Sequence, residues 1–194
     1  MLMGTHFIIA KSVVDSIDSN KSFFISEKNF IYGNIKPDAV SKYVLKKHYM
    51  KESFDMILDK IKYLCSLTLD YVSKYFSISK LSQELGVICH FLCDFFCVAH
   101  SQRWEFKHSM GKHVIYEREL ASAAKEEKLY KFKGDYIGTS LEKFFKDMFD
   151  EYTKELSCKN DLLFSTYICN SITNYILDNI LSNTVASYKI AACF

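Results

Sequence analysis

Apolar residues recur along most of this chain at intervals of three and four, the period of a helix with one face in a core. Over residues 6–19 the marks are Ile8, Ile9, Val13, Val14 and Ile17. Over residues 51–76 they are Phe54, Ile57, Leu58, Ile61, Leu64, Leu67 and Leu69, which predicts one long amphipathic segment. A helix capped by Ser79 or Ser82 is predicted to run on to about Ala99. It is apolar nearly all round, so it belongs inside the molecule. Further helices are predicted over residues 113–128, 141–156 and 161–187. Residues 20–36 lack the period and read as an irregular connection anchored by Phe23, Phe24, Phe30 and Tyr32. Pro37 suits the first turn of a short helix reaching His48, because a missing N–H costs nothing there. Residues 101–112 read as a polar loop, and residues 125–135 as a charged, solvent-facing stretch with Gly134 and Gly138 bracketing a turn.

Composition agrees with this picture. Six glycines and one proline in 194 residues are too few for many short strands joined by turns. The predicted fold is therefore all-α, a multi-helix bundle. No repeat, low-complexity stretch or linker divides it, so residues 1–194 read as one domain. An apolar content of 49% excludes a disordered chain. A formal charge of +2 gives no strong field, and no specific nucleic-acid partner is expected. No run of ~18 apolar residues is present to span a membrane. Residues 1–10 lack a basic n-region, a full apolar core and a small-residue cleavage site. Cys89, Cys93 and Cys97, three of seven cysteines, repeat at helical spacing and read as small buried residues. The missing signal and the reduced cysteines together point to the cytoplasm. Zinc–thiolate binding would call for C-x2-C pairs, and none occurs.

The polar residues carry the chemistry. His90 and Asp94 are followed by His100, giving H-x3-D-x5-H, and His113 and Glu117 then give H-x3-E. Side chains four apart share a helical face, so each pair is a preformed two-ligand arm. His6, Asp38 and His48 lie upstream. Imidazole and carboxylate together suit zinc, and eight such residues exceed the four ligands of one tetrahedral ion. The series implies two or three metal ions. From Leu85 to His100 the only acid is Asp94, and no Lys or Arg lies in that stretch. A buried carboxylate there needs a cation, and a metal ion supplies one.

The ordered set resembles the bacterial zinc-dependent phospholipase C family. The likeness runs from Thr5-His6-Phe7-Ile8-Ile9-Ala10 through Gly33-Asn34-Ile35-Lys36-Pro37-Asp38 and His48-Tyr49. It continues through Leu85-Gly86 to His90, Asp94, His100, His113 and Glu117, about two-thirds of the chain. The resemblance implies a helical domain around a trinuclear zinc cluster that hydrolyses phospholipids. One zinc would take Asp38, His48, His90 and Asp94; a second would take His100, His113 and Glu117. A third would use His6, bridged to the first by Asp94. In the family the amine and carbonyl of an N-terminal tryptophan complete that third site. The only tryptophan here is Trp104, so that third site would be either absent or completed by backbone atoms near Met3 and Gly4. Asp38 would also be the catalytic base.

The implied partner is a phospholipid or other phosphodiester, with peripheral membrane contact. Phe30, Tyr32, Tyr49 and Trp104 are candidate substrate contacts, and Arg103, Lys107 and His108 candidate phosphate contacts. Two alternatives stand beside this reading: a single-strand nuclease-like phosphodiesterase, and a catalytically silent, zinc-stabilised lipid-binding protein.

Overall fold

A computed structural model describes residues 1–39, 47–104 and 110–191. Eight helices organise them, and no strand occurs among the described residues. They are α1 (Met3–Asp15), α2 (Glu27–Ala39), α3 (Met50–Cys65) and α4 (Ile78–Phe95), then α5 (Val98–Ser101), α6 (Met110–Glu126), α7 (Leu141–Tyr152) and α8 (Cys158–Ala191). The all-α expectation holds.

Helix α4 is the axis of the molecule. Every residue from Leu85 to Phe95 is buried, and α2, α3 and α8 pack around it. Its cap is Ser77, whose hydroxyl accepts from the Lys80 N–H at 3.2 Å. Ser82, one of the two caps expected, instead donates to the Ile78 carbonyl and accepts from the Ser26 N–H. The helix stops at Phe95, short of Ala99, and a separate turn, α5, carries His100. Glu84 at its outer edge is held between Lys60 and Lys80.

Four further expectations are corrected. Most of residues 20–36 is not irregular: a 3-10 turn at Ser22–Phe24 leads into helix α2. Phe30, Gly33, Asn34 and Pro37 form its buried face at helical spacing. Gly33 breaks no helix there. A Cβ on it would lie 2.2 Å from the Gln83 carbonyl oxygen, and one on Gly86 would lie 2.1 Å from that of Phe30. Only glycines allow α2 and α4 to approach this closely. Pro37 accordingly closes a helix in its last turn instead of opening one, and His48 lies outside regular structure. The rest of the helix expected between them falls on residues 40–46, outside the described residues.

The long segment over residues 51–76 is likewise broken. Helix α3 ends at Cys65, and a turn at Leu69–Tyr71 and a π turn at Val72–Phe76 follow. Thr68 restarts the chain by accepting from the Tyr71 N–H, a local bond that competes with helix continuation. Asn183 of α8 takes the freed Cys65 and Leu67 carbonyls. Gly134 owes its place to close approach, since a Cβ would lie 2.3 Å from the Ser171 nitrogen. In the stretch over residues 125–135, Leu129 is buried.

Amphipathic logic explains the outer helices. In α7, Ser140 accepts from the Lys143 N–H, Glu142 sits in the first turn, and Leu141, Phe144, Phe145 and Tyr152 face inward. Cys89, Cys93 and Cys97 are free and buried as expected, with the Cys93 sulfur 3.8 Å from that of Cys169 on α8.

Candidate metal centre

Four helices, one short turn of helix and a coil deliver the eight candidate side chains to one place. Helix α1 brings His6, the last turn of α2 brings Asp38, and the coil before α3 brings His48. Helix α4 brings His90 and Asp94, α5 brings His100, and α6 brings His113 and Glu117. Their ligand atoms form three groups, each within 4.8 Å, two of which share His90. These are His6, Asp38 and His90; His48, His90 and Asp94; and His100, His113 and Glu117. Among the described residues no cysteine joins them.

Asp94 is the hinge of the arrangement. Its Oδ2 lies 2.7 Å from His48 Nδ1 and 3.3 Å from His90 Nε2. Its Oδ1 lies 3.3 Å from His6 Nε2 and 3.6 Å from His100 Nε2. Asp38 Oδ1 stands 3.6 Å from His90 Nε2 and 3.8 Å from His48 Nδ1. On the other side Glu117 Oε1 is 3.2 Å from Nε2 of both His100 and His113.

Two contacts organise the rings from behind. His90 Nδ1 is 2.7 Å from the Asn34 carbonyl, which can only accept. The ring proton therefore sits on Nδ1 and leaves the Nε2 lone pair facing the cluster, as a metal-binding histidine requires. The close crossing of α2 and α4 makes that bond possible. The His6 ring stacks on His90 with centroids 4.1 Å apart.

The spacing pattern did not anticipate the chain's own amine. Met1 N lies 2.5 Å from Asp94 Oδ1, 2.8 Å from His100 Nε2 and 3.2 Å from Glu117 Oε1. The Met1 amine thus reaches the cluster. The Asn34 carbonyl was missed as well, since no sequence signal marks a main-chain acceptor.

Electrostatics show what the site demands. Burial opposes the Met1 ammonium charge, but Asp94 and Glu117 outweigh it and raise its pKa to about 12. Burial and neighbouring His90 push His6 down to about 3, and burial and the amine lower His100. Burial would raise Asp94, yet the amine and the surrounding histidines hold it well below the usual carboxylate range. Glu117 falls to about 2 against its burial, through His100 and the amine. His48 rises despite burial because Asp94 accepts from it. Three carboxylates, Asp38, Asp94 and Glu117, face one ammonium, a net charge of −2 while the imidazoles stay neutral. Both His6 ring nitrogens and Nδ1 of His100 are buried without hydrogen-bond partners among the described residues. Such groups are costly unless something coordinates or hydrogen-bonds them. Surplus negative charge with unclaimed imidazole nitrogens fits a multivalent cation, and the donor set fits zinc.

Residues 5–159 match the family model described as zinc dependent phospholipase C. The chain belongs to that family. Neither a curated protein nor a solved structure matches it. Membership in the zinc-dependent phospholipase C family implies zinc, and the match covers every candidate ligand from His6 to Glu117.

The remaining candidates divide. Phe30 is fully buried in the core and is removed from the substrate-contact set. Tyr32 is exposed on α2. Tyr49 lies with its ring centroid 6.4 Å from that of His100, and the Arg103 guanidinium, paired with Glu52, sits 4.9 Å over it. Trp104 packs edge-on against Tyr116. Lys107 and His108 fall outside the described residues.

Proposed function

We propose that this chain is a zinc-dependent hydrolase of phospholipid head-group phosphodiesters, of the phospholipase C type. The observation that carries the reading is the set of three His/carboxylate groups linked through Asp94, with a net negative charge and unclaimed ring nitrogens. Asp38, His48, His90 and Asp94 would hold one ion, and His100, His113 and Glu117 a second. His6, with Asp94 and the Met1 amine at its side, would hold a third. Bound zinc would neutralise the phosphate, lower the pKa of water towards ~7 and stabilise the leaving oxygen.

The chain's own residues supply orientation and proton transfer. Asn34 fixes the His90 tautomer, so its lone pair stays directed inward. Asp38 is the base. Its side chain is 32% exposed, against 1% for Asp94 and 10% for Glu117, so of the three carboxylates it best reaches a proton at the mouth. Leu2, Met3 and Phe7 are exposed beside Met1 and His6, an apolar lip suited to peripheral contact with lipid. No helix among the described residues is long and apolar enough to cross a membrane.

The test is zinc per chain by elemental analysis, with phosphodiester release measured on phospholipid vesicles and on single-stranded DNA. Two or three zinc ions with release from vesicles is the expected result. Release from DNA alone would transfer the chain to nuclease-like chemistry, and zinc without any turnover would make it a binding protein.

A further inference from the structure

A second buried aspartate lies beyond the stretch matched by the family, at the start of α8. Asp161 is fully buried, and the groups that bond to it are donors without charge. Its Oδ2 accepts from the Val98 N–H at 2.9 Å and from the Tyr116 hydroxyl at 2.9 Å. Its Oδ1 accepts from the Tyr152 hydroxyl at 2.8 Å.

Each of the first two donors stands next to the metal centre. Val98 opens α5, the four-residue turn that carries His100. The cap residue of that turn, Cys97, gives it no side-chain bond, so the carboxylate that satisfies its first N–H comes from a different helix. Tyr116 stands on α6 directly before Glu117 and three residues after His113. One oxygen therefore ties the turn bearing His100 to the helix bearing the other two members of the same group. So short a turn has little stability of its own, and an ionised acceptor makes the stronger kind of hydrogen bond. Tyr152 comes from α7, and its hydroxyl meets both the opposite oxygen of Asp161 and Ser101, the residue after His100, so it braces the same turn.

We infer that Asp161 is a positioning residue for the His100/His113/Glu117 metal group, holding α5 and α6 at the separation that group needs. It touches neither substrate nor ion and acts through the backbone of α5 and the Tyr116 hydroxyl. The inference rests on the zinc reading above.

Zinc affinity, measured by competition with a chromophoric chelator on the whole chain, tests it. Asp161→Ala removes both acceptor oxygens, whereas Asp161→Asn could keep its carbonyl oxygen for Val98 and Tyr116 and turn its amide N–H to the Tyr152 hydroxyl. The expected result for Asp161→Ala is one zinc equivalent weakened by up to about 10-fold, the low end of the effect of partners bonded directly to a ligand, with the remaining zinc unchanged. Tyr116→Phe should weaken the same equivalent by less. Tyr152→Phe should weaken it slightly too, through Ser101, whereas Phe144→Leu, a packing change on α7 with no bond to Asp161, should lower the melting temperature and leave every zinc affinity as it was. Should Asp161→Ala fail to fold, Tyr116→Phe and Phe144→Leu decide between them. Equal zinc affinities in Tyr116→Phe and Phe144→Leu, or wild-type zinc binding by a folded Asp161→Ala, would overturn the inference and leave Asp161 a packing residue. Wild-type protein that takes up no zinc would overturn the metal centre itself, and that failure shows in the parent protein before any variant is read.

Discussion

Asp94 and Asp161 are both removed from solvent, yet the fold treats them in opposite ways. Asp94 faces an ammonium and four imidazoles, which hold its pKa well below the usual range against its burial. Asp161 faces two phenols, the Cys97 thiol and a main-chain N–H, and burial lifts it to about 6. Depth alone therefore does not decide the ionisation of a carboxyl; the charge of its neighbours does. A buried acid among titratable bases marks a place built for cations. A buried acid among neutral donors marks a joint in the scaffold.

The largest break in this contrast should come from Asp94→Asn. It should cost more than about 100-fold in zinc affinity, since even partners behind a ligand are worth about 10–100-fold, and turnover should vanish with the metal. In zinc-free protein it also leaves the Met1 ammonium short of its nearest anion, a loss of about 3–5 kcal/mol readable by urea unfolding.

The pH dependence of stability sharpens the contrast next. Native Asp161 keeps its proton up to about 6, whereas the unfolded chain releases it near 3.8. Between those values the native state binds more protons, so this group's contribution to unfolding free energy falls as pH rises. The change is roughly 3 kcal/mol across the window. Zinc-free Asp161→Asn lacks it, so its stability relative to wild type should improve by that amount from about pH 4 to about pH 6. Glu117, lowered to about 2 in the metal centre, has the reverse sign. Its stabilisation is complete above 4.5 and is lost as pH falls towards 2.

A smaller break acts on Asp94's surroundings alone. Gly86→Ala drives a methyl against the Phe30 carbonyl oxygen and should cost about 2–3 kcal/mol. It parts α2 from α4, so His90 loses its Asn34 partner and zinc affinity falls, while Asp161's bonds persist. The smallest effect should be Tyr152→Phe, about 1 kcal/mol for one hydrogen bond, seen as a modest fall in melting temperature.

Much of this was legible in the sequence because local geometry carried it. The helical class followed from periodicity, and the gathering of histidines from pairs four apart and from a lone acid in an apolar helix. Helix α2 was not legible, because Gly33 and Pro37 look like breakers unless the partner helix that requires a glycine is known. The interruption after Cys65 hid because Ser66 and Thr68 lie inside an unbroken apolar rhythm, and the tertiary bonds from Asn183 that support it come from far along the chain. Asp161 escaped notice for a similar reason. Its partners sit 63, 45 and 9 residues away, and one of them is a main-chain group.

The glycine crossing of α2 and α4 works as a pair of fixed calipers. Where main chain rests on main chain, no rotamer can yield, so the approach of α2 to α4 at Gly33 and Gly86 is set by backbone van der Waals contact. An ion of larger radius, such as calcium with oxygen contacts of about 2.3–2.6 Å instead of zinc's ~2.0–2.2 Å, would have to spread two helices to be accommodated. Any choice between ions by size would then rest on two residues that have no side chains.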